Sequence, residues 1–388
     1  MPAPLRIAIT CYPTFGGSGV IATEIGRTLA RRGHRVHFIS YDVPARLEHF
    51  EDNVVFHEVS VRDYPVLNEV PYPLALASKM VEVSRFEGLD LLHVHYAVPH
   101  ATSAYLARQI LHAAGDAAPR IITTLHGTDT TLVGSDPSLL PITRFSVIES
   151  DGVTVPSAFL REATYTELRV PRTVPIEVIP NFVDTDRFCP TDEPHPLRVI
   201  HVSNFRPVKR VDDVVRVFAE VHRAVPTATL VLVGDGPERF RIEGMVREAG
   251  LASQVTFLGK QGTFLEVLQR SDVFLLPSET ESFGLAALEA LACGVPVVAS
   301  DVGGVPEVVA AGELGFLAPV GDVAAMAAAT IRLLTDRALH AEMSRAARAR
   351  ALERWREAPM VDRYEDYYRR VLARDRSVVN PALTSSSR

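Results

Sequence analysis

Short apolar runs alternate with stretches of helical periodicity along almost the whole chain, and near Leu197 the alternation starts again from its beginning. The first series opens with LRIAIT (Leu5 to Thr10), a helix from about Gly19 to Arg32 that stops at Gly33, and a strand from Arg35 to Ser40. It continues with Val54 to Val59, a helix near Ala75 to Arg85, LLHVHY (Leu91 to Tyr96) and a helix near Ala101 to Ala113. IITTLHG follows from Arg120 onward, then a helix opened by Arg144 and the strand GVTVPS (Gly152 to Ser157). Strands that alternate with helices make parallel sheets covered on both faces. The second series repeats this with LRVIHVS, a helix from about Val211 to Val225, TLVLVG and a further helix. A chain of 388 residues exceeds one ordinary core. The expected architecture is therefore α/β, with two Rossmann-like, doubly wound parallel-sheet domains facing a cleft. The first spans about 1–188 and the second 189–359, and the polar, Pro-rich run Thr191 to Pro196 reads as the linker.

Chemistry in such folds gathers at the carboxyl ends of strands. In the second half, the run Val273 to Leu276 stops at Pro277, crosses a polar loop and enters a helix expected to start near Ser282, whose hydroxyl suits an N-cap. Helix N-termini attract anions. Glu281 and Glu289 bracket this loop, and carboxylates repel phosphate, so both should meet hydroxyl donors such as those of sugars. The loop SNFRPVKR adds Arg206 and Lys209 beside Gly234-Asp235-Gly236, cations suited to a departing diphosphate. In the first half, a Gly-Gly-Ser-Gly turn after the first strand allows close backbone approach, with Ser18 as a helix cap. The spacing is not G-x-G-x-x-G and no acid but Asp42 is placed to follow it, which argues against a nicotinamide enzyme. His93, His95 and Tyr96 end one strand, and Thr124, His126, Thr128 and Asp129 end the next. Without a nearby carboxylate the histidines read as ligand hydrogen-bonders rather than zinc ligands. Arg144 offers a guanidinium to a carboxylate or phosphate.

The stretch ESFGLAALEALACGVPVVASDVGGVPE, with glutamates eight apart, resembles the donor-sugar signature of retaining nucleotide-sugar glycosyltransferases of family 4, which have the GT-B fold. The resemblance implies that Glu281 meets the transferred sugar, that Ser282 and the Phe283-Gly284-Leu285 amides hold the distal phosphate, and that Glu289 holds the ribose. It also implies that the last helix, from about 360 to 380, crosses back to the first domain. ITCYPTFGGSGV, HVHYAVPHA, TTLHGTD, PNFVD, HVSNFRPVKRV, LVGDGPE and FLGKQ extend the similarity along essentially the entire chain, toward the branch that uses UDP-N-acetylglucosamine and L-malate in bacillithiol biosynthesis. Asn204 stands where most relatives have arginine, with Arg206 two residues on. As the resemblance implies, the catalytic group is His126, Arg206, Lys209 and Glu281, and Gly16, Gly17, Asn204, Gly234 and Asp235 join the donor site. Malate carries two carboxylates and a hydroxyl. Arg144 is expected to pair one carboxylate, with Ser18, Tyr96 and Thr124 donating further bonds.

A formal charge of -7 argues against a general nucleic-acid or anionic-membrane binder. Three scattered cysteines, Cys11, Cys189 and Cys293, fit neither a disulfide framework nor a zinc site, and the early residues do not form a signal peptide, so a cytoplasmic setting is expected. No cofactor is expected and no metal, on the reading that an Asp-x-Asp signature is missing. A final helix from about Ser344 to Leu372 carries Trp355, Tyr364, Tyr367 and Tyr368 with a bend at Pro359, and the tail 381–388 reads as disordered. A homodimer is a further expectation from the family. Alternatives are a small anionic acceptor such as inositol phosphate, a UDP-N-acetylglucosamine 2-epimerase, and a non-catalytic sugar-nucleotide binder.

Overall fold

The computed structural model of the chain describes residues 3–14, 16–47, 50–60, 71–133, 136–193 and 197–374. Its first half runs β1 (Arg6–Thr10), α1 (Gly17–Arg31), β2 (Arg35–Ser40), β3 (Val54–Glu58), α2 (Tyr72–Glu87), β4 (Leu91–His95) and α3 (Thr102–Ala113). It continues with β5 (Arg120–Thr124), α4 (Leu140–Ile148), β6 (Gly152–Val155), α5 (Ala158–Glu167) and β7 (Ile176–Val178). These strands form one sheet in the order β3-β2-β1-β4-β5-β6-β7, each neighbouring pair parallel. Its strands are apolar on both sides because α1 packs on one face and α2 with α3 on the other.

The second half runs β8 (Arg198–Val202), α6 (Val211–Ala224), β9 (Thr229–Val233), α7 (Arg239–Glu248), β10 (Val255–Gly259), α8 (Leu265–Gln269) and β11 (Val273–Leu276). After it come α9 (Leu285–Ala292), β12 (Val297–Ser300), α10 (Val305–Val308), β13 (Gly315–Ala318), α11 (Val323–Thr335), α12 (Arg337–Arg354) and α13 (Glu357–Leu372). The second sheet has the order β10-β9-β8-β11-β12-β13, again parallel. Strand order reverses between β1 and β4 in one sheet and between β8 and β11 in the other. Crevices open at such switch points. The four loops that follow these strands carry most of the residues singled out above.

The last helical stretch differs from expectation. It breaks at Trp355 and Arg356, where the backbone leaves the helical region, and Val183 N–H donates to the Trp355 carbonyl at 3.0 Å. Pro359 lies in the first turn of α13, where its missing N–H costs nothing, so it is a helix starter and not the bend. Met360, Val361, Tyr364, Tyr367, Tyr368 and Val371 of α13 pack among Ile7, Ile9 and Ile25 of the first lobe. One further start moves. Arg144 sits within α4 instead of opening it, because the helix begins at Leu140 with Pro141 in its first turn. The run Thr191 to Pro196 is described only to Glu193, and the tail 381–388 lies outside the described residues.

Tyr368 Oη lies 2.6 Å from His93 Nδ1, and both are buried. Tyr368→Phe should therefore destabilise the protein by about 1–3 kcal/mol, the cost of an orphaned buried nitrogen. Urea unfolding checks this, and an unchanged midpoint would show that the bond contributes nothing.

Candidate active site

The loop after β11 is shaped by contacts on all sides. Gly304 N–H donates to the Glu281 carbonyl at 2.9 Å, and Ser157 Oγ of the first lobe donates to the Ser282 carbonyl at 2.6 Å. A Cβ on Gly303 would meet the Glu281 carbonyl oxygen at 2.0 Å, and one on Gly304 the Ser282 oxygen at 2.2 Å, so neither position admits a side chain. From the first lobe, Gly127 abuts Ser282 and Gly17 faces Leu285. Helix α9 starts at Leu285, three residues later than expected, with Gly284 at its N-cap in the left-handed region at φ 89°. Ser282 does not cap it. With no side-chain cap, the first amides of α9 stay available to an anion at the lobe junction.

Lys209 closes the short turn Pro207–Lys209 after β8, and its Nζ lies 2.5 Å from Glu281 Oε1, which also accepts from Ser278 Oγ at 2.9 Å. Loops after β8 and β11 thus place a cation and a carboxylate side by side at the cleft. Asn204 and Arg206 are exposed in the same loop, and the Arg206 side chain has no partner among the described residues. Gly234 holds φ 117°, and a Cβ there would stand 1.7 Å from the Ser203 oxygen; Gly236 would strike the Asn204 oxygen at 2.0 Å. These glycines let the loops after β8 and β9 stack backbone on backbone. Asp235 is exposed and accepts from the Gly236 amide. Glu289, in the second turn of α9, is only 5% exposed, and Arg46 of the first lobe reaches it, Nη2 to Oε1, at 3.1 Å. Burial raises the Glu289 carboxyl pKa above the ordinary glutamate value, and Arg46 opposes that shift.

In the first lobe, Tyr96 donates its hydroxyl to Ser18 Oγ at 2.7 Å. Ser18 is inside α1 and Gly16 occupies the N-cap without any side-chain cap, so the expected capping role of Ser18 does not hold. His95 Nδ1 meets His126 Nε2 at 2.8 Å, with the two rings stacked. That leaves His126 Nδ1 without a partner among the described residues. His126 keeps part of its surface open, yet burial pushes its imidazole down to about 3, so it is neutral at pH 7. Asp129 accepts from the Ala97 and His126 amides at 2.7 and 3.2 Å, fixing the loops after β4 and β5 to each other. Thr124 is fully buried, its hydroxyl engaged by His93 at 2.7 Å and by Thr154 at 2.5 Å beneath α13. It therefore lies within the fold, not on the surface where an acceptor would meet it. Arg144 is exposed on α4, with no partner among the described residues. The Thr102–Ser146 hydroxyl pair, at 2.8 Å, holds that helix against the segment after β4.

Burial holds His93 down to about 3 and His100 and His201 down to about 4, and it puts His95 well below its ordinary value. Folded-state values below unfolded ones mean that the unfolded chain binds protons first as pH falls. Stability should therefore drop once pH passes below about 6.5, by about 1.4 kcal/mol per pH unit for each such histidine. Asp129 acts in the opposite sense: burial raises it to about 6, so its contribution grows as pH falls from there toward the ordinary carboxylate range. Burial raises the Glu289 and Glu357 carboxyls as well, but the lowered histidines outnumber these three carboxyls and leave the acid loss dominant. Urea melts at pH 7.5, 6.5 and 5.5 measure it, and equal midpoints would contradict it.

Among the described residues, the side chains whose ligand atoms converge as a metal would need are His37, His57 and Glu87, all within 4.8 Å of one another and not part of the His93, His95 and His126 cluster. His37 and His57 already share a hydrogen bond at 3.0 Å, and Arg35 lies 3.5 Å from Glu87. The sequence does hold an Asp-x-Asp triplet, Asp184-Thr185-Asp186, contrary to the reading above. Its first carboxylate is used locally, accepting from the Asp186 and Arg187 amides at 3.0 and 3.1 Å. Sequence reasoning missed Arg46 and Ser157, which reach α9 and the loop after β11 from the opposite lobe; neither sits in a motif, and only the fold brings them there.

Two family models match the chain: Glycosyltransferase Family 4 over residues 15–187 and Glycosyl transferases group 1 over 184–350. The chain is 47% identical over 383 residues to the N-acetyl-alpha-D-glucosaminyl L-malate synthase of Bacillus anthracis, covering 96% of this chain and 99% of that one. It is 29% identical over 406 residues to a D-inositol 3-phosphate glycosyltransferase of Acidothermus cellulolyticus, covering 95% and 89%. In structure it is similar to sucrose-phosphate synthase from Thermosynechococcus elongatus, with a TM-score of 0.78 at 25% identity over 95% of this chain and 99% of that one. Anabaena HepE, solved with UDP-glucose, matches at a TM-score of 0.77 and 19% identity over 94% and 100%, a likeness of fold.

Proposed function

The chain belongs to glycosyltransferase family 4, with the GT-B fold, and from that membership we propose that it moves N-acetylglucosamine from UDP-N-acetylglucosamine to the hydroxyl of L-malate. The products are N-acetylglucosaminyl-malate and UDP, the first step of bacillithiol biosynthesis. The observation that carries this reading is the near end-to-end similarity to the N-acetyl-alpha-D-glucosaminyl L-malate synthase. The geometry agrees with it, since the paired Lys209 and Glu281 stand beside the uncapped start of α9.

In this reading the donor diphosphate lies on the α9 amides, with Lys209, Arg206 and the Gly16-Gly17 backbone around it. As the sugar–phosphate bond breaks, negative charge grows on the leaving UDP, and these groups stabilise it more than they stabilise the intact donor. Glu281 and His126 Nδ1 hold sugar hydroxyls. A neutral imidazole near the sugar orients it without taking a proton. The malate hydroxyl attacks from the face the UDP leaves, so configuration is retained, and its proton passes to a phosphate oxygen of the leaving group. Arg144 pairs a malate carboxylate, and the Tyr96–Ser18 pair offers hydroxyls to the same acceptor. Turnover proceeds without a bound metal or other cofactor, so excess EDTA should leave the rate unchanged. The setting is cytoplasmic and the assembly a homodimer. No helix among the described residues is long and apolar enough to cross a membrane.

The test is UDP release from UDP-N-acetylglucosamine with and without L-malate, with product mass by mass spectrometry. Release that depends on malate, with a glucosaminyl-malate mass, is the expected result. Release of free sugar without acceptor would make the protein an epimerase or hydrolase, and release only with inositol phosphate would move the acceptor assignment.

A further inference from the structure

Arg46 ties the Glu289 carboxylate to the opposite lobe. It lies in the segment after β2, in the left-handed region at φ 69°, a conformation that costs a non-glycine residue free energy and persists where its surroundings hold it. Its guanidinium spans two carboxylates, Glu24 of α1 at 3.5 Å and Glu289 of α9 at 3.1 Å, and lies 5.7 Å from the centre of the Phe188 ring. Glu24 is itself held by Arg27 at 3.3 Å. Arg46 engages Glu289 through Oε1, while Oε2 has no partner among the described residues. An ionised carboxylate with one oxygen fixed and one open presents an acceptor of set direction, suited to vicinal hydroxyls. Arg187 and Glu24 also bear on this carboxylate by charge, and Cys293 lies near it.

We propose that Arg46 is a positioning residue for the donor nucleotide: from the acceptor lobe it fixes Glu289 by one oxygen and leaves the other aimed at the ribose hydroxyls. The nucleotide site is then whole only when the two lobes stand together, as the Ser157–Ser282 bond and the Glu307 carboxylate on the Ala158 and Phe159 amides also hold them here. This rests on the donor reading above, in which Glu289 faces the ribose.

The experiment is calorimetric titration of the full-length protein with UDP and with 2′,3′-dideoxy-UDP, which lacks the hydroxyls. Arg46→Met keeps a stem against Phe188 and removes the charge, and it should weaken UDP about tenfold or more, the loss of a charge-assisted contact. It should leave the dideoxy analogue within about twofold. Arg46→Lys should recover part of the loss, and the malate KM should stay near wild type. Equal loss for both nucleotides would show a structural role alone and overturn the proposal, as would unchanged or tighter UDP binding. Glu289→Gln separates the two readings. If it also leaves UDP binding unchanged, the donor-site reading fails and the proposal falls with it; if it weakens UDP while Arg46→Met does not, only the proposal falls.

Discussion

Lys209→Ala is expected to lower kcat by about 10²- to 10³-fold with the malate KM near wild type, the loss found when one preorganised donor to a developing charge is removed. Two consequences of one deletion act together. The departing diphosphate loses a cation, and Glu281, which that cation faces at 2.5 Å, becomes an unpaired carboxylate beside the same phosphates. Arg206→Ala should cost less, because Arg206 is exposed and its charge is screened by water. A steady-state comparison at saturating malate decides the matter. If kcat falls less than about tenfold in Lys209→Ala, the leaving-group role belongs elsewhere.

Arg144→Ala should raise the malate KM by about 10- to 100-fold, the range for one charge-assisted hydrogen-bonded pair, with the donor KM unchanged. In the structure its guanidinium has no partner among the described residues, so the substitution orphans no carboxylate and should not unfold the protein. Lysine in its place should recover part of the affinity, since it supplies charge without the bidentate fork. An unchanged malate KM, or a donor KM that rises with it, would remove Arg144 from the acceptor pocket.

Both lobes were legible because parallel strands buried on two faces leave long apolar runs, and helices between them leave a different period. The pairing of the last helix with the first lobe was legible only through family resemblance. Its break was not, because it follows from the bridge between Val183 and Arg356, residues far apart in sequence. Helix starts were misread at Ser18 and Ser282 for one reason: each serine suits an N-cap, yet a neighbouring glycine holds the N-cap position, with the backbone in the left-handed region at Gly284. The Lys209–Glu281 pair joins two motifs the sequence displays, so both halves are legible there and only their contact is not. Thr124 stands at a strand end, which is the signal its sequence position gives. Alternation puts its hydroxyl on the face beneath α13, where His93 and Thr154 take it. Arg46 carried no local signal, since a lone arginine in a loop resembles any solvated arginine until the fold brings α9 against it.

The most direct test of the central claim is the proton spectrum of the product made from UDP-N-acetylglucosamine and L-malate. It should show N-acetylglucosamine joined through its anomeric carbon to the malate hydroxyl in the α configuration, the configuration of the donor. A β linkage would contradict retention, and free sugar in place of the conjugate would contradict glycosyl transfer to malate altogether.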